Sequence, residues 1–175
     1  MPCTIEVVGY RDQDIDSVVE SLKDALVGIE KTLDADIKGA ISGSDIDIEK
    51  RDKYVFCTVG KIGVSICSGH IDGVFAKLFR AYSLYRSGEI SSLVLIAKTA
   101  TEAWWNNQEA QNKKGMPLTL SDGNRQNWDK ARKAIESAEH WYDLPITAII
   151  IEREVSSKGF SDFKEDRAAK KEFWT

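Results

Sequence analysis

The sequence has few cysteines and histidines, and this scarcity narrows the chemistry it can support. It contains three cysteines, Cys3, Cys57 and Cys67, and only two histidines. The cysteines are far apart and form no CxxC pair, so a zinc site, which takes closely spaced Cys and His ligands, is not expected. We interpret the three cysteines as reduced thiols of a cytoplasmic protein, because disulfides are rare in that compartment.

Three other common signatures are absent. Neither GxGxxG nor a P-loop occurs, so no nucleotide cofactor is expected. No apolar stretch approaches the roughly 20 residues of a membrane helix, and the first residues lack the basic and apolar blocks of a signal peptide. We therefore expect neither a membrane span nor secretion.

Excess positive charge is also missing. The formal net charge is -4, which is not typical of a nucleic-acid-binding protein. The charge is uneven, because residues 1–60 hold thirteen acidic side chains against seven basic ones, and the rest of the chain is net +2. Any contact with DNA must therefore come from local basic patches in the later part of the chain.

Hydrophobic periodicity predicts one α/β domain over residues 1–152, followed by a charged helical tail over 153–175. Continuous apolar runs are typical of central strands covered on both faces, and helices alternate with them, which indicates a mixed sheet between two layers of helices. The predicted elements are a strand over 4–9, one long helix over 12–33, strands over 54–59 and 62–67, a helix over 71–87 whose buried stripe includes Phe75 and Phe79, a strand over 93–97, a helix from Ser121 or Asp122, and a strand over 146–151.

The pair Gly60-Lys61 predicts a tight hairpin, since a two-residue loop with glycine first fits a type II′ turn. This turn sets Val59 opposite Ile62, and further along the strands it sets Cys57 opposite Val64 and Val55 opposite Ile66. One face of the hairpin is then wholly apolar. The other face carries Tyr54, Phe56, Thr58, Gly63, Ser65 and Cys67.

The stretch from Lys61 to Thr99 resembles restriction endonucleases of the BglII and BamHI type, within the PD-(D/E)xK nuclease superfamily. The matching pieces are the strand IGVSICSG, the helix GVFAKLFRAYSLYRSGEI and the strand SSLVLIAKT, and WYDLPITAIII is similar to a later helix-to-strand passage. The resemblance covers about residues 45–151. It implies a restriction-endonuclease-like α/β fold, with helices on both faces of a mixed sheet.

The resemblance also implies where a catalytic site would lie, and there the sequence departs from the family. The family's hairpin strand presents an acid followed two residues later by an acid, Gln or Lys, and these positions fall on Ser65 and Cys67. The upstream acid falls at or next to Phe56. Mg²⁺ requires oxygen ligands with charge, which a hydroxyl, a thiol and a phenyl ring do not supply. We therefore expect no metal cofactor and no nuclease activity from this chain alone.

An alternative keeps the enzyme active. Asp45 and Asp47 share one face of a short strand, and with Glu20 or Glu30 of the first helix they would bind Mg²⁺ in a rearranged site. The competing interpretation is that these aspartates are solvated residues on a half-exposed edge.

A polar-aromatic segment follows the strand 93–97, in the region that flanks the DNA cleft of the resembled enzymes. Lys, Arg, Asn and Gln are the side chains that reach phosphates and base edges. The alternative is a tryptophan pair that anchors a loop. The candidate DNA-binding residues are Lys98, Trp104, Trp105, Asn106, Asn107, Lys113, Lys114 and Arg125.

The leading hypothesis is a DNA-associated protein with a nuclease-like fold, inactive alone, that acts as a DNA-binding subunit, as a homodimer or with a protein partner. One alternative is a Mg²⁺-dependent endodeoxyribonuclease using Asp45 and Asp47. Another is a protein-binding inhibitor or immunity module, whose acidic N-terminal part would suit a basic partner.

Overall fold

The structure is a computed structural model that describes residues 3–67, 72–112, 115, 126–138 and 143–154. The strands and helices follow one another in the predicted alternation, but the structure divides the chain into more and shorter elements than the sequence predicts. The elements are β1 (Cys3–Gly9), α1 (Gln13–Val27), α2 (Asp34–Ser42), β2 (Glu49–Lys50), β3 (Cys57–Val59), β4 (Ile62–Ile66), α3 (Asp72–Arg86), β5 (Ser92–Lys98), α4 (Ala100–Asn112), α5 (Trp128–Ala138) and β6 (Ile146–Arg153).

The strands form one six-stranded mixed sheet in the order β1-β6-β5-β4-β3-β2. β4, β5 and β6 run parallel to each other, whereas β1 is antiparallel to β6 and the hairpin strands are antiparallel. The carboxyl ends of the three parallel strands therefore meet at one edge of the sheet. In open α/β sheets this edge is where ligands usually bind.

Helices cover both faces of the sheet, as the sequence predicts. One core packs α1 and α2 against one face, through residues such as Val19, Ile37 and Ile96. The other core packs α3 and α5 against the opposite face, and includes Leu78 and Ala131. The predicted fold class is thus confirmed, with a hydrophobic layer on each side of the sheet.

The hairpin has the predicted register over its first residues and then departs from it. Cys57 pairs with Val64 and Val59 with Ile62, as expected. Gly60 has a φ of 55°, which suits the first position of a type II′ turn.

Beyond Cys57 the strand is displaced by a bulge. The backbone N–H of Phe56 donates to Val64 O at 2.8 Å, although Cys57 is already the partner of Val64. An extra residue of this kind reverses the faces of the residues that precede it. Phe56 consequently packs against the core under α1 and α2, and Val55 belongs to the other core. The predicted position of Phe56 across from Ser65 is therefore wrong.

The single long helix predicted over 12–33 is also wrong, because two helices occupy residues 13–42. Asp12 caps α1 as expected, with its side chain accepting from the Ile15 N–H at 2.8 Å. α1 ends at Gly28, and α2 begins at Asp34 after a short connection. A glycine after the last apolar residue is a common stop signal, and the periodicity of the flanking residues obscured it.

On α3 the buried face differs from the predicted stripe. Val74, Leu78 and Leu84 are buried, whereas Phe75 is 44% exposed and Phe79 is 58% exposed. Apolar residues occupy more of this helix than one face can bury, so periodicity alone did not select the inner side. Elsewhere, α5 begins at Trp128, and Asn127 caps it by accepting from the Lys130 N–H at 3.1 Å. The predicted start at residue 121 or 122 lies outside the described residues.

Candidate functional site

Ser65 and Cys67, the positions where the resemblance places acidic residues, lie in the interior. Ser65 is fully buried, and its hydroxyl donates to Tyr54 O at 2.7 Å. Cys67 follows β4, and its thiol donates to Gln126 Oε1 at 3.3 Å. Burial raises the pKa of the Cys67 thiol to about 11, and the nearby charges of Lys77 and Lys98 oppose this rise only in part. Both side chains are neutral, and each forms a hydrogen bond to a neighbouring segment of the chain, at Tyr54 and at Gln126.

Lys77 approaches Cys67 from α3. Its residue is 8% exposed, and its ammonium donates to the same Gln126 Oε1 at 3.3 Å. Burial lowers the pKa of Lys77. The thiolate form of Cys67 and the carboxylate of Asp34 raise this pKa, and the charge of Lys38 lowers it further. Gly73 makes this packing possible, because a Cβ there would lie 2.5 Å from Gln126 Nε2.

Lys98 is the last residue of β5 and is only 6% exposed. Burial lowers the pKa of Lys98, while Glu102, Asp34 and Cys67 raise it and Arg153 lowers it. Within the described residues its ammonium makes no hydrogen bond and no ion pair within 4.0 Å. Among the described residues, its Nζ is not one of the fully buried polar atoms that lack a partner, so the burial of Lys98 is mainly that of its aliphatic stem.

Asp34 begins α2 and acts on both lysines. Its carboxylate also forms an ion pair with Lys38 at 2.7 Å. Asp34, Cys67, Lys77, Lys98 and Gln126 thus come from five separate segments, near the carboxyl ends of the parallel strands. We call these five residues the strand-end cluster. Of these only Lys98 and Cys67 were candidates from the sequence, because the others converge through tertiary packing alone.

The strand-end cluster does not fit a magnesium ion. Asp34 is its one carboxylate, the Cys67 sulfur is a soft donor, and two ammonium groups would repel a cation. In the part of the chain that the structure describes, no three Asp, Glu, His or Cys side chains are grouped so that they could hold a metal. The cluster is chemically suited to an anion.

Asp45 and Asp47, the acids of the rearranged-site alternative, are both exposed. They lie in the segment before β2, the strand at the edge of the sheet. The side chains of Ile46 and Ile48, between and beside them, pack into the core under α1. Among described residues the two aspartates join no metal-binding group with a third acid, so the geometry matches solvated aspartates on an edge.

Another carboxylate, Asp52, lies beside the hairpin and was not among the acids considered from the sequence. Its Oδ1 accepts from the N–H groups of Tyr54 and Val55, at 2.8 and 2.9 Å. Its Oδ2 accepts from Arg80 Nε at 2.7 Å. Burial raises the pKa of Asp52, but the bonds from Val55, Arg80 and Tyr54 outweigh it and lower the pKa overall. The carboxylate is committed to a turn, a role that Asp two or three residues before its partners commonly fills.

The polar-aromatic segment of α4 lies mostly inside the protein. Trp104, Asn106 and Asn107 are buried, and Trp105 is half-buried. Asn106 donates through Nδ2 to Thr32 O at 3.2 Å and to Thr32 Oγ1 at 2.9 Å. Trp104, Asn106 and Asn107 therefore contribute to the packing of the protein, and their DNA-binding role stays a prediction. Lys113, Lys114 and Arg125 lie outside the described residues.

The reason for this burial is an ion pair that the sequence did not reveal. Glu102, whose side chain has no exposure, accepts from Arg153 Nε at 2.8 Å and from the Arg153 N–H at 3.2 Å. The hydroxyl of Thr32 also bonds to this carboxylate. The polar face of α4 therefore joins β6 to the connection between α1 and α2, and it packs inward for that reason.

Comparison with known proteins adds evidence on the fold. The sequence matches no protein-family profile and no curated protein. Among solved structures, the restriction endonuclease BglII complexed with a DNA 16-mer is similar, with a TM-score of 0.60, 10% identity, and coverage of 86% of this chain and 79% of that one. Free BglII is similar with a TM-score of 0.53 and 11% identity, over 86% of this chain and 80% of that one.

The fold is restriction-endonuclease-like. At this identity the likeness concerns the arrangement of the sheet and helices, and the predicted fold class is confirmed at that level. No helix in the described residues is both long enough and apolar enough to cross a lipid bilayer. Arg153 still belongs to β6, one residue past the predicted domain boundary at 152, and the predicted tail beyond Glu154 lies outside the described residues.

Proposed function

We propose that this protein is a DNA-associated protein that binds the phosphate backbone through the strand-end cluster and does not cleave it alone. The observation that carries the proposal is the excess of buried lysine over carboxylate in this cluster. Asp34 acts on both lysines and Glu102 acts on Lys98. These two carboxylates already form ion pairs with Lys38 and Arg153. Lysine is a common phosphate ligand, and phosphate contacts supply most of the sequence-independent affinity for DNA.

The position of the cluster supports the proposal. It lies near the carboxyl ends of β4 and β5, the edge where parallel sheets commonly bind ligands. The similar BglII structure contains a DNA 16-mer. The surface charge of the whole molecule, net -4, would oppose DNA elsewhere, so binding requires such a local cationic site.

The chemistry of the hairpin supports the absence of cleavage. A carboxylate at position 65 would face the carbonyl of Tyr54, and the Cys67 thiol is engaged with Gln126. Magnesium-dependent hydrolysis needs carboxylates that hold the ion against the phosphate. We propose that no metal cofactor acts here. We also propose a cytoplasmic location, where the free thiols of the protein stay reduced.

Duplex DNA binding measured by fluorescence anisotropy tests the proposal. With two lysines releasing counterions, the logarithm of affinity should fall against the logarithm of salt with a slope of about -2 between about 50 and 200 mM salt. A supercoiled plasmid incubated with Mg²⁺ or Mn²⁺ should remain intact. Absence of salt-dependent binding would refute the DNA role. Nicking that disappears in Asp47→Ala would instead establish the rearranged nuclease.

We propose further that the protein acts as a homodimer, and the two exposed phenylalanines of α3 favour this. Phe75 and Phe79 are one helical turn apart and form an apolar strip, and exposed apolar patches often mark interfaces. The occupant that we propose is a second copy of this chain. Sedimentation equilibrium should give a dimer that dissociates in the double variant Phe75→Ser/Phe79→Ser, and a monomeric wild type would contradict the assignment.

A further inference from the structure

Lys98 combines an enclosed stem with an accessible amine. Its residue is only 6% exposed, yet Nζ is not among the fully buried polar atoms that lack a partner in the described residues. The aliphatic stem is therefore enclosed while the nitrogen reaches solvent. Over the same described ranges, Nζ donates no hydrogen bond and has no carboxylate within 4.0 Å. Once its proton leaves, the electron pair of this nitrogen is available for reaction.

Other lysines of the described chain lack this combination. Lys77, which is also buried, donates to Gln126 Oε1 at 3.3 Å. Lys38 forms an ion pair with Asp34 at 2.7 Å, and Lys50 on β2 is exposed, so its stem is not enclosed. A hydrogen bond or an ion pair holds a lysine in its charged form, in which it is not a nucleophile. Among the described lysines, only Lys98 is both buried as a residue and without such a bond.

The surroundings of Lys98 favour the neutral amine. Burial lowers the pKa of Lys98 and Arg153 from β6 lowers it further, whereas Glu102 from α4, Asp34 from α2 and Cys67 after β4 raise it, and the net direction is downward. The two carboxylates pair with other cations. Desolvation and a neighbouring cation are the two ways in which proteins activate a lysine as a nucleophile.

We propose that Lys98 is a nucleophilic amine that forms an imine with an aldehyde. The neutral Nζ attacks the carbonyl carbon and a C–N bond forms. The carbonyl oxygen takes up the two amine protons and leaves as water, and a C=N double bond remains. The step is reversible and needs neither an oxidant nor a reductant. Carbonyl substrates are the usual reaction partners of activated lysines.

The location of the amine indicates which aldehydes could reach it. Lys98 is the last residue of β5, at the edge where the carboxyl ends of the parallel strands meet. A DNA strand held at the strand-end cluster would bring its sugars to this nitrogen, and the open-chain sugar of an abasic site carries an aldehyde. The aldehyde is thus that of an abasic site in DNA or a small free aldehyde. Only the first source rests on the proposed function.

Reductive trapping on the wild-type chain tests the inference. Acetaldehyde and cyanoborohydride convert each imine to a stable secondary amine, and peptide mapping by mass spectrometry gives the rate at each lysine separately. Lys98 should be labelled about threefold or more faster than the exposed Lys50 at about pH 7.5, because more of it is neutral. Its rate should also level off at a lower pH than that of Lys50. Labelling of Lys98 no faster than that of Lys50 would overturn the inference.

Trapping with DNA identifies the source of the aldehyde. A duplex with one abasic site and borohydride should give a covalent protein–DNA adduct with wild type and with the control Lys50→Met. The adduct should be lost in Lys98→Arg, which keeps the charge but forms no imine. Should Lys98→Arg fail to fold, mapping of the cross-linked residue in the wild type decides, and a cross-link at another lysine excludes the abasic source.

Failure of the inference and failure of the proposed function are distinguishable. If the wild type binds an intact duplex in a salt-dependent manner but labels Lys98 no faster than Lys50, the reactive amine is refuted and the DNA role stands. If acetaldehyde labels Lys98 rapidly while the wild type does not bind the duplex, the reactive amine stands with a small aldehyde as its substrate, and the DNA role is refuted.

Discussion

Replacing Glu102 with alanine should lower the free energy of unfolding by about 3 kcal/mol. Removal of one partner from a buried ion pair typically costs about 3 to 5 kcal/mol, because the other charge stays buried without compensation. The Glu102 side chain has no exposure and that of Arg153 is 11% exposed. In the variant, Arg153 keeps Glu109 at 3.4 Å, and the side chain of Glu109 is 40% exposed. This residual pair places the expected loss at the lower end of the range.

Urea denaturation, monitored by circular dichroism, measures the loss in the free energy of unfolding. The slope of this free energy against urea concentration checks that the compactness of the folded and unfolded states is unchanged. Arg153→Met should cost a similar amount. The double variant should cost less than the two singles together, which is the sign of direct coupling. Glu136→Ala is the control: its carboxylate lies 3.8 Å from Arg132, and both side chains are more than half exposed. An exposed pair of this type is worth at most about 0.5 kcal/mol. If Glu102→Ala lost no more than Glu136→Ala, the reasoning about the buried network would be refuted.

Substitutions at three other positions test local features of the hairpin. Gly60→Ala should lower the free energy of unfolding by about 1 to 2 kcal/mol in urea denaturation, and Gly60→Asn should lower it less. A Cβ at this position meets no atom within 4 Å, so only the positive φ is strained. Equal losses in the two variants would argue against the turn. Ser65→Ala should lower the free energy of unfolding by about 1 kcal/mol, because the hydrogen bond to Tyr54 O is lost. Ser65→Asp should lower it by several kcal/mol, since a buried carboxylate would face that carbonyl. A stable Ser65→Asp variant would contradict the position of the hydroxyl. Asp52 has a lowered pKa, so its stabilisation is present above the ordinary value of 3.8 and is lost as pH falls through the folded value. The stability difference between wild type and Asp52→Asn should therefore shrink below about pH 4, and a difference that is constant with pH would rule out the ionised bonds.

The parts of the fold that the sequence predicted are those set by local chemistry. Gly60-Lys61 specifies its own turn and the first pairs of the hairpin, and apolar runs such as Leu93–Ala97 mark central strands by themselves. The bulge at Phe56 could not be read in this way. Both faces of this hairpin carry apolar residues, so neither register conflicts with the hydrophobic pattern, and the choice depends on what the two cores accommodate.

The strand-end cluster was beyond sequence reasoning for a different reason. Lys77 lies between two buried positions of α3, and Asp34 opens α2, a helix that begins just after the end of the helix predicted over 12–33. The local ion pair of Asp34 with Lys38 gives no sign that Asp34 approaches Lys77 and Lys98. Their association depends on how α2 and α3 meet the end of the sheet from opposite faces, which no spacing along the chain records. Lys98 alone carried a signal, as a charge that ends a continuous apolar run.

The contacts of the hairpin indicate that a single carboxylate substitution would not create a metal site there. A magnesium site on β4 would need carboxylates whose oxygens make no other bonds. Here the Ser65 hydroxyl is a donor to a backbone carbonyl of the preceding turn, and Cys67 contacts Gln126, which also holds Lys77. A carboxylate at either position would replace a donor with an acceptor beside existing acceptors. The same contacts that disfavour a cation leave Lys77 in place, so the proposed absence of metal chemistry and the proposed phosphate binding rest on one arrangement of side chains.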